Sequence, residues 1–165
     1  MPGVDASATI MPPAPKVPGD KTPTSPDTTS LLSWTSRFAV VTLHSFAAGT
    51  LRLYYTPQPG APVMTTTLDV SPLFERLDGL RRHRCDNGAH RSFPMEARNT
   101  EVAHLLEHLL VELLAQSGAA RAQIQGATNL DEAPARYRIK VSGWTCATQA
   151  EEAVAEALRL LDAIW

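Results

Sequence analysis

From Asn99 to Ala120 the chain reads NTEVAHLLEHLLVELLAQSGAA, with no lysine or arginine anywhere in the run. Its apolar residues recur at intervals of three and four, a period that a helix satisfies and a strand does not. On a helical wheel Val102, Leu105, Leu106, Leu109, Leu110 and Leu113 share one broad arc, which must face a core. Glu101, His104, Glu107, His108 and Glu112 fill the other arc. The helix is expected to start at Asn99 or Thr100, both good caps, and to stop at Ser117-Gly118, where glycine accepts a left-handed terminal conformation.

Around this helix the patterning changes period. RFAVVTLH and TLRLYY are rich in β-branched and aromatic residues and are separated by SFAAG, which reads as a hairpin. VMTTTLDV alternates into a third expected strand, and ARYRIKVSG is a strand with Tyr137, Ile139 and Val141 on one face. RAQIQGATN reads as a weak strand or an ordered loop. Ser71 and Pro72 open a short helix, SPLFERLDGL, that closes near Gly79. Thr148 and Glu151 form a capping-box pattern ahead of a last helix, QAEEAVAEALRLLDAIW. Strands grouped before and after helices predict an α+β domain, an antiparallel sheet with helices packed on one face.

That domain is expected over residues 34–165. Residues 1–33 hold seven of the chain's thirteen prolines, many Ser and Thr and no aromatic residue, so they are expected to form a disordered tail. A net charge of −2 leaves no excess of cations to neutralise phosphates, which argues against nucleic acid or an anionic membrane as partner. FAVVTLHSFAAGTL is interrupted by polar residues and falls short of the ~20 apolar residues a bilayer span needs. The two cysteines, Cys85 and Cys146, make no disulfide framework, and no secretory signal pattern is present, so a cytoplasmic location is expected.

A solvated polar face of this length ordinarily carries Lys or Arg paired with Glu at i,i+4. Here it carries only Glu and His. His104 and His108 lie one turn apart, so their imidazoles can converge on a zinc ion at bonds of ~2.0–2.1 Å. Glu107 adjoins both and is the candidate general base that takes a proton from water activated by the ion. The order His-x-x-Glu-His is that of the inverted zincins. Any amphipathic helix also needs polar residues on its outer face, and on wheel geometry alone that bland account suffices.

A catalytic zinc wants a third protein ligand. Cys146, just past ARYRIKVSG, is the first candidate, with a small buried hydrophobe as the alternative. Glu112, two turns along the helix from His104, suits the orientation of a ligand from behind better than ligation itself. Glu151 or Glu152 can also reach in. Cys85 and His83, in HRC, form a second candidate metal pair or a reactive thiol, against a packed loop cysteine.

The run LDGLRRHRCDNGAHRSFPMEARNTEVAHLLEHLLVELLAQSG resembles the N-terminal domain of cyanophycin synthetase. The resemblance rests on Gly79, Leu80, His83, Cys85 and Gly88, then Phe93, Thr100, His104, Glu107, His108, Glu112 and Leu113, and continues through QIQGATN and YRIKVSG to cover residues 68–165. It implies a small α+β domain that in the full synthetase precedes an ATP-grasp and a Mur-ligase-like module. It also implies polymer binding and, in some members, a metal-dependent hydrolysis that cuts cyanophycin into primers. This chain departs from the pattern at GWTCATQ, where Cys146 stands in for an acidic stretch, and at the neutral QGATN, where the family has an arginine-rich segment. No Walker A glycine loop occurs in the sequence, so ligase chemistry is not expected of this chain acting alone.

Two functions follow as expectations. One is a zinc-dependent hydrolase of a peptide or isopeptide bond in a cyanophycin-like polymer, with His104, His108 and Cys146 on the metal, Glu107 as base and Glu112 behind a ligand. The other is a non-catalytic domain that binds a polymer or a partner amide ligase.

Overall fold

A computed structural model describes residues 32–86, 89–133 and 135–165; the expected tail, apart from its last residues, and Gly88 of the family-like pattern lie outside them. The sheet is antiparallel with strand order β1-β2-β3-β5-β4, comprising β1 (Ser33–Thr35), β2 (Ala39–Ala47), β3 (Thr50–Pro57), β4 (Gln125–Leu130) and β5 (Tyr137–Ser142). Strand alternation puts Ala39 and Val41, Leu51, Leu53 and Tyr55, and Tyr137, Ile139 and Val141 on one buried face. The helices α1 (Ser71–Arg76), α2 (Phe93–Glu96), α3 (Val102–Gln116) and α4 (Ala147–Asp162) complete the α+β architecture expected from the sequence. α3 packs on β4, β5 and α4.

The hairpin between β2 and β3 is tighter than SFAAG implied. Its loop is Ala48-Gly49, both at positive φ (47° and 67°), the backbone of a two-residue turn. The Gly49 carbonyl accepts from the N–H groups of Gly143 and Trp144, which ties the turn to the end of β5. A side chain at Gly49 would start 2.7 Å from the Trp144 carbonyl oxygen, so the approach requires glycine. His44 is the extra residue of a bulge between the Leu43–Leu53 and Ser45–Arg52 pairs.

VMTTTLDV is not a strand. Thr65–Thr67 form a 3-10 turn, and the segment is a collar around the start of α3. Val63 accepts the Val102 N–H, Thr65 donates its N–H to the Thr100 carbonyl, and the Thr65 hydroxyl accepts the Thr100 N–H. Backbone donors that a helix start leaves orphaned thus find partners in a neighbouring segment. For the same reason neither Asn99 nor Thr100 caps the helix: the cap position is Glu101, with no side-chain bond. Among the other boundaries, Ser71 lies inside α1 with its N–H bonded to Asp69, and Asp78–Arg82 form a separate 3-10 turn. Thr148 and Glu151 both fall within α4, whose cap is Cys146, so their capping box does not form. Gly118, at φ +101°, ends α3 as expected.

Among the described residues no helix is long and apolar enough to cross a membrane.

Candidate metal centre

α3 is buried nearly all round. The leucine arc meets the sheet and α4, but Glu107, His108 and Glu112 are also buried, at 6%, 5% and 1% exposure. A polar face taken out of water must be satisfied internally or serve a bound group. The covering comes from the loop after the 3-10 turn, from α2 and from β4.

That loop folds back on itself. Arg84 bridges Ser92, Cys85 donates its N–H to the Arg91 carbonyl, and Phe93 donates to the His83 carbonyl. The fold-back delivers Cys85 and His83 onto α3. Cys85, His104 and His108 then bring one donor atom each within 4.8 Å of one another. The Cys85 sulfur is 3.3 Å from His108 Nε2 and 3.9 Å from His104 Nε2, and the two Nε2 atoms are 3.1 Å apart. A tetrahedral ion with bonds of ~2.05 Å to nitrogen and ~2.3 Å to sulfur would set ~3.4 Å between nitrogens and ~3.6 Å between nitrogen and sulfur. The three donors are spaced for such an ion.

Cys146 is not part of this cluster; it is exposed at the start of α4. β5 runs alongside α3 in the same sense, from Tyr137 at the His104 end to Gly143 against Leu114. A residue just past β5 therefore lies beside Leu114, ten residues or ~15 Å along the helix from His104. Of the second pair considered from the sequence, Cys85 is the third donor of the cluster, whereas His83 lies behind it against His108 and Glu112.

Behind the ligands each imidazole is held. With Nε2 left as a lone-pair donor to an ion, Nδ1 of His104 carries the proton and donates to the Thr100 hydroxyl at 2.9 Å. His108 Nδ1 likewise donates to His83 Nδ1 at 3.0 Å, which leaves His83 Nε2 to donate to Glu112 at 2.9 Å. Arg121 closes the chain with bonds to both Glu112 oxygens, at 3.0 and 2.9 Å. The Phe93 ring stacks on His108 at 3.7 Å and 16°. Glu112 thus reaches His108 through His83, a partner that sequence spacing does not indicate.

The protonation states suit neutral donors. Burial holds His83, His104 and His108 below the ordinary imidazole value, His108 the furthest, with the neighbouring rings adding to it. Burial, helped by the Glu96, Glu107 and Asp86 carboxylates, pushes the Cys85 thiol up to about 12, which argues against a free reactive thiolate. Burial also raises Glu107 to about 7, opposed by the bond its carboxylate accepts from the Thr128 hydroxyl at 2.9 Å. Although burial opposes it, the bonds from Arg121 and His83 keep Glu112 below the ordinary carboxyl value.

The ligands open onto a cleft of about 870 Å³ whose lining includes Glu107, β4 and Tyr137. Two glycines make room for the two buried carboxylates of α3. A Cβ on Gly126 would lie 2.1 Å from Glu107, and one on Gly79 would lie 1.9 Å from Glu112.

No family model matches this chain, and no curated protein matches it significantly.

Proposed function

We infer that the chain is a metal-dependent hydrolase of a peptide or isopeptide bond, with Cys85, His104 and His108 holding the ion and Glu107 as general base. The observation that carries this reading is the tetrahedral spacing of three donor atoms beside a buried carboxylate raised to about 7. Zinc suits the one-sulfur, two-nitrogen donor set and the fourth position left for water. Such an ion polarises a carbonyl and lowers the pKa of water that binds it.

The protein groups do the rest. At neutral pH Glu107 is partly protonated, so it can take a proton from water and return one to the departing amine. Thr128 fixes the rotamer of that carboxylate, and Phe93 closes one side of His108 to solvent. The resemblance of residues 68–165 to the cyanophycin synthetase N-terminal domain supplies a candidate substrate, an aspartate polymer bearing arginine side groups. Asp86 and Glu101 line the cleft for guanidinium groups, and Arg82 for carboxylates.

Elemental analysis of tag-free protein tests the metal: near one equivalent of zinc in wild type, and none in His104→Ala/His108→Ala. Glu107→Gln should keep the metal and lose hydrolysis of β-aspartyl-arginine polymer by roughly 10²–10⁴-fold. Turnover retained in Glu107→Gln removes the base assignment. Absence of metal from the wild type removes the hydrolase and leaves a non-catalytic polymer- or partner-binding domain.

A further inference from the structure

β4 borders the cleft along its length and, among the described residues, is the last strand of the sheet, paired only with β5. Its hydrogen-bonding phase follows from bonds just beyond its ends. The Asp131 N–H donates to the Arg136 carbonyl at 2.7 Å, continuing the register in which Leu130 faces Tyr137. On the opposite edge of β5 the Gly143 N–H goes to Gly49, continuing the register with β3. In an antiparallel ladder bonded and non-bonded pairs alternate. The even residues Arg138, Lys140 and Ser142 therefore bond β4, through Asn129, Ala127 and Gln125.

The N–H and C=O groups of Gly126, Thr128 and Leu130 consequently point out of the sheet edge, and among the described residues no backbone group accepts or donates to them. Every residue of β4 is exposed except Thr128, which is half-buried. This is the residue set whose side-chain face carries Glu107: Gly126 lies against its carboxylate, and Thr128 bonds to it. A free edge of this kind is a template for another strand.

The ends of the cleft differ in charge. At the Leu130 end the Glu101 carboxylate acts on Tyr137 and His104. At the Gln125 end Arg121, paired with the buried Glu112 but with about half its side chain still exposed, leads into the strand, and it and Arg82 act on His83. A strand laid antiparallel to β4 would carry its amino end to Glu101 and its carboxyl end to Arg121. A parallel strand would meet like charge at both ends.

We propose, building on the hydrolase reading of the same cleft, that the edge of β4 binds an extended peptide main chain antiparallel to itself, through the N–H and C=O groups of Gly126, Thr128 and Leu130. The substrate class is then a linear peptide backbone, gripped through its amides and aligned by charge, with side chains secondary.

Metal-free wild-type protein allows binding to be read without turnover, using amide hydrogen exchange by NMR and two hexapeptides with free termini, Arg-Ala-Val-Ala-Val-Asp and its reverse, Asp-Val-Ala-Val-Ala-Arg. The first peptide should slow exchange at Gly126, Thr128 and Leu130 by at least about tenfold while Ala127 and Asn129, already in the ladder, change little. The reverse peptide should bind about tenfold more weakly. Leu130→Pro removes one outward N–H and no ladder bond, so it should weaken the first peptide with an unchanged circular dichroism spectrum. Protection elsewhere, or none with either peptide up to millimolar concentration, overturns the proposal. Polymer hydrolysis by the zinc-loaded protein without protection on β4 would overturn it and leave the hydrolase standing. Protection on β4 in a protein that binds no metal would do the reverse.

Discussion

At the scale of single residues, the centre depends on which cysteine serves it. Replacing Cys85 by Ala removes one of three donors and should reduce zinc affinity by more than about 100-fold, whereas Cys146→Ala should leave it unchanged; competition with a chromogenic chelator reads both. Equal losses in the two variants would place Cys146 on the ion. His83→Ala leaves all three donors but frees Nδ1 of His108, so affinity should fall by roughly 10–100-fold. His104, Glu107 and His108 were legible in the sequence because the helical period puts them side by side and no basic residue explains them. Cys85 was visible only as part of a separate pair. Its approach to His108 is made by a loop that folds back between Arg84 and Ser92, and no periodicity encodes such a path. Cys146 misled because the residue after a strand seems close to a helix until the relative direction of β5 and α3 is known.

At the scale of elements, α3 and β4 meet at a glycine. Gly126→Ala would put a methyl group 2.1 Å from Glu107 and 3.0 Å from Val111. The carboxylate is the far end of a flexible side chain and yields first, so the stability cost should stay below about 2 kcal/mol. Glu107 would leave the Thr128 hydroxyl, and hydrolysis should drop by about 100-fold with zinc still bound. Unchanged turnover in Gly126→Ala would mean that the carboxylate's position is not critical. The strands β2, β3 and β5 and the helices α3 and α4 could be read from periodicity because one face of each is apolar. VMTTTLDV could not, since its alternation serves the backbone donors at the start of α3 and not the sheet. β4 was ambiguous in the sequence for a related reason: as an edge strand exposed at nearly every residue, it has no apolar face to reveal.

At the scale of the whole molecule, metal binding and folding are linked through protons. In the metal-free protein His83, His104 and His108 are held below their ordinary value of 6.5, so the unfolded chain binds more protons than the fold once the pH drops under that value. Stability is therefore fully present above 6.5 and lost as the pH falls toward the depressed values. Glu107 works in the opposite sense: raised from 4.5 to about 7, it costs stability as the pH rises between those limits. Three imidazoles against one carboxyl make acid the destabilising direction. Zinc adds a steeper dependence, because the ion must displace the Cys85 proton and competes with protonation of His104 and His108. Free zinc at a hundred times its Kd should stabilise the fold by about 2.7 kcal/mol, a rise in Tm on the order of 10 °C for a domain of this size. At fixed total zinc that rise should be largest near about pH 8 and nearly absent near about pH 5, when affinity has collapsed. Differential scanning fluorimetry across that range, with Cys85→Ala alongside, measures it directly. A zinc-induced rise that is independent of pH, or that survives in Cys85→Ala, would mean that the ion binds elsewhere on the surface and that the buried donors of α3 are held by their hydrogen bonds alone.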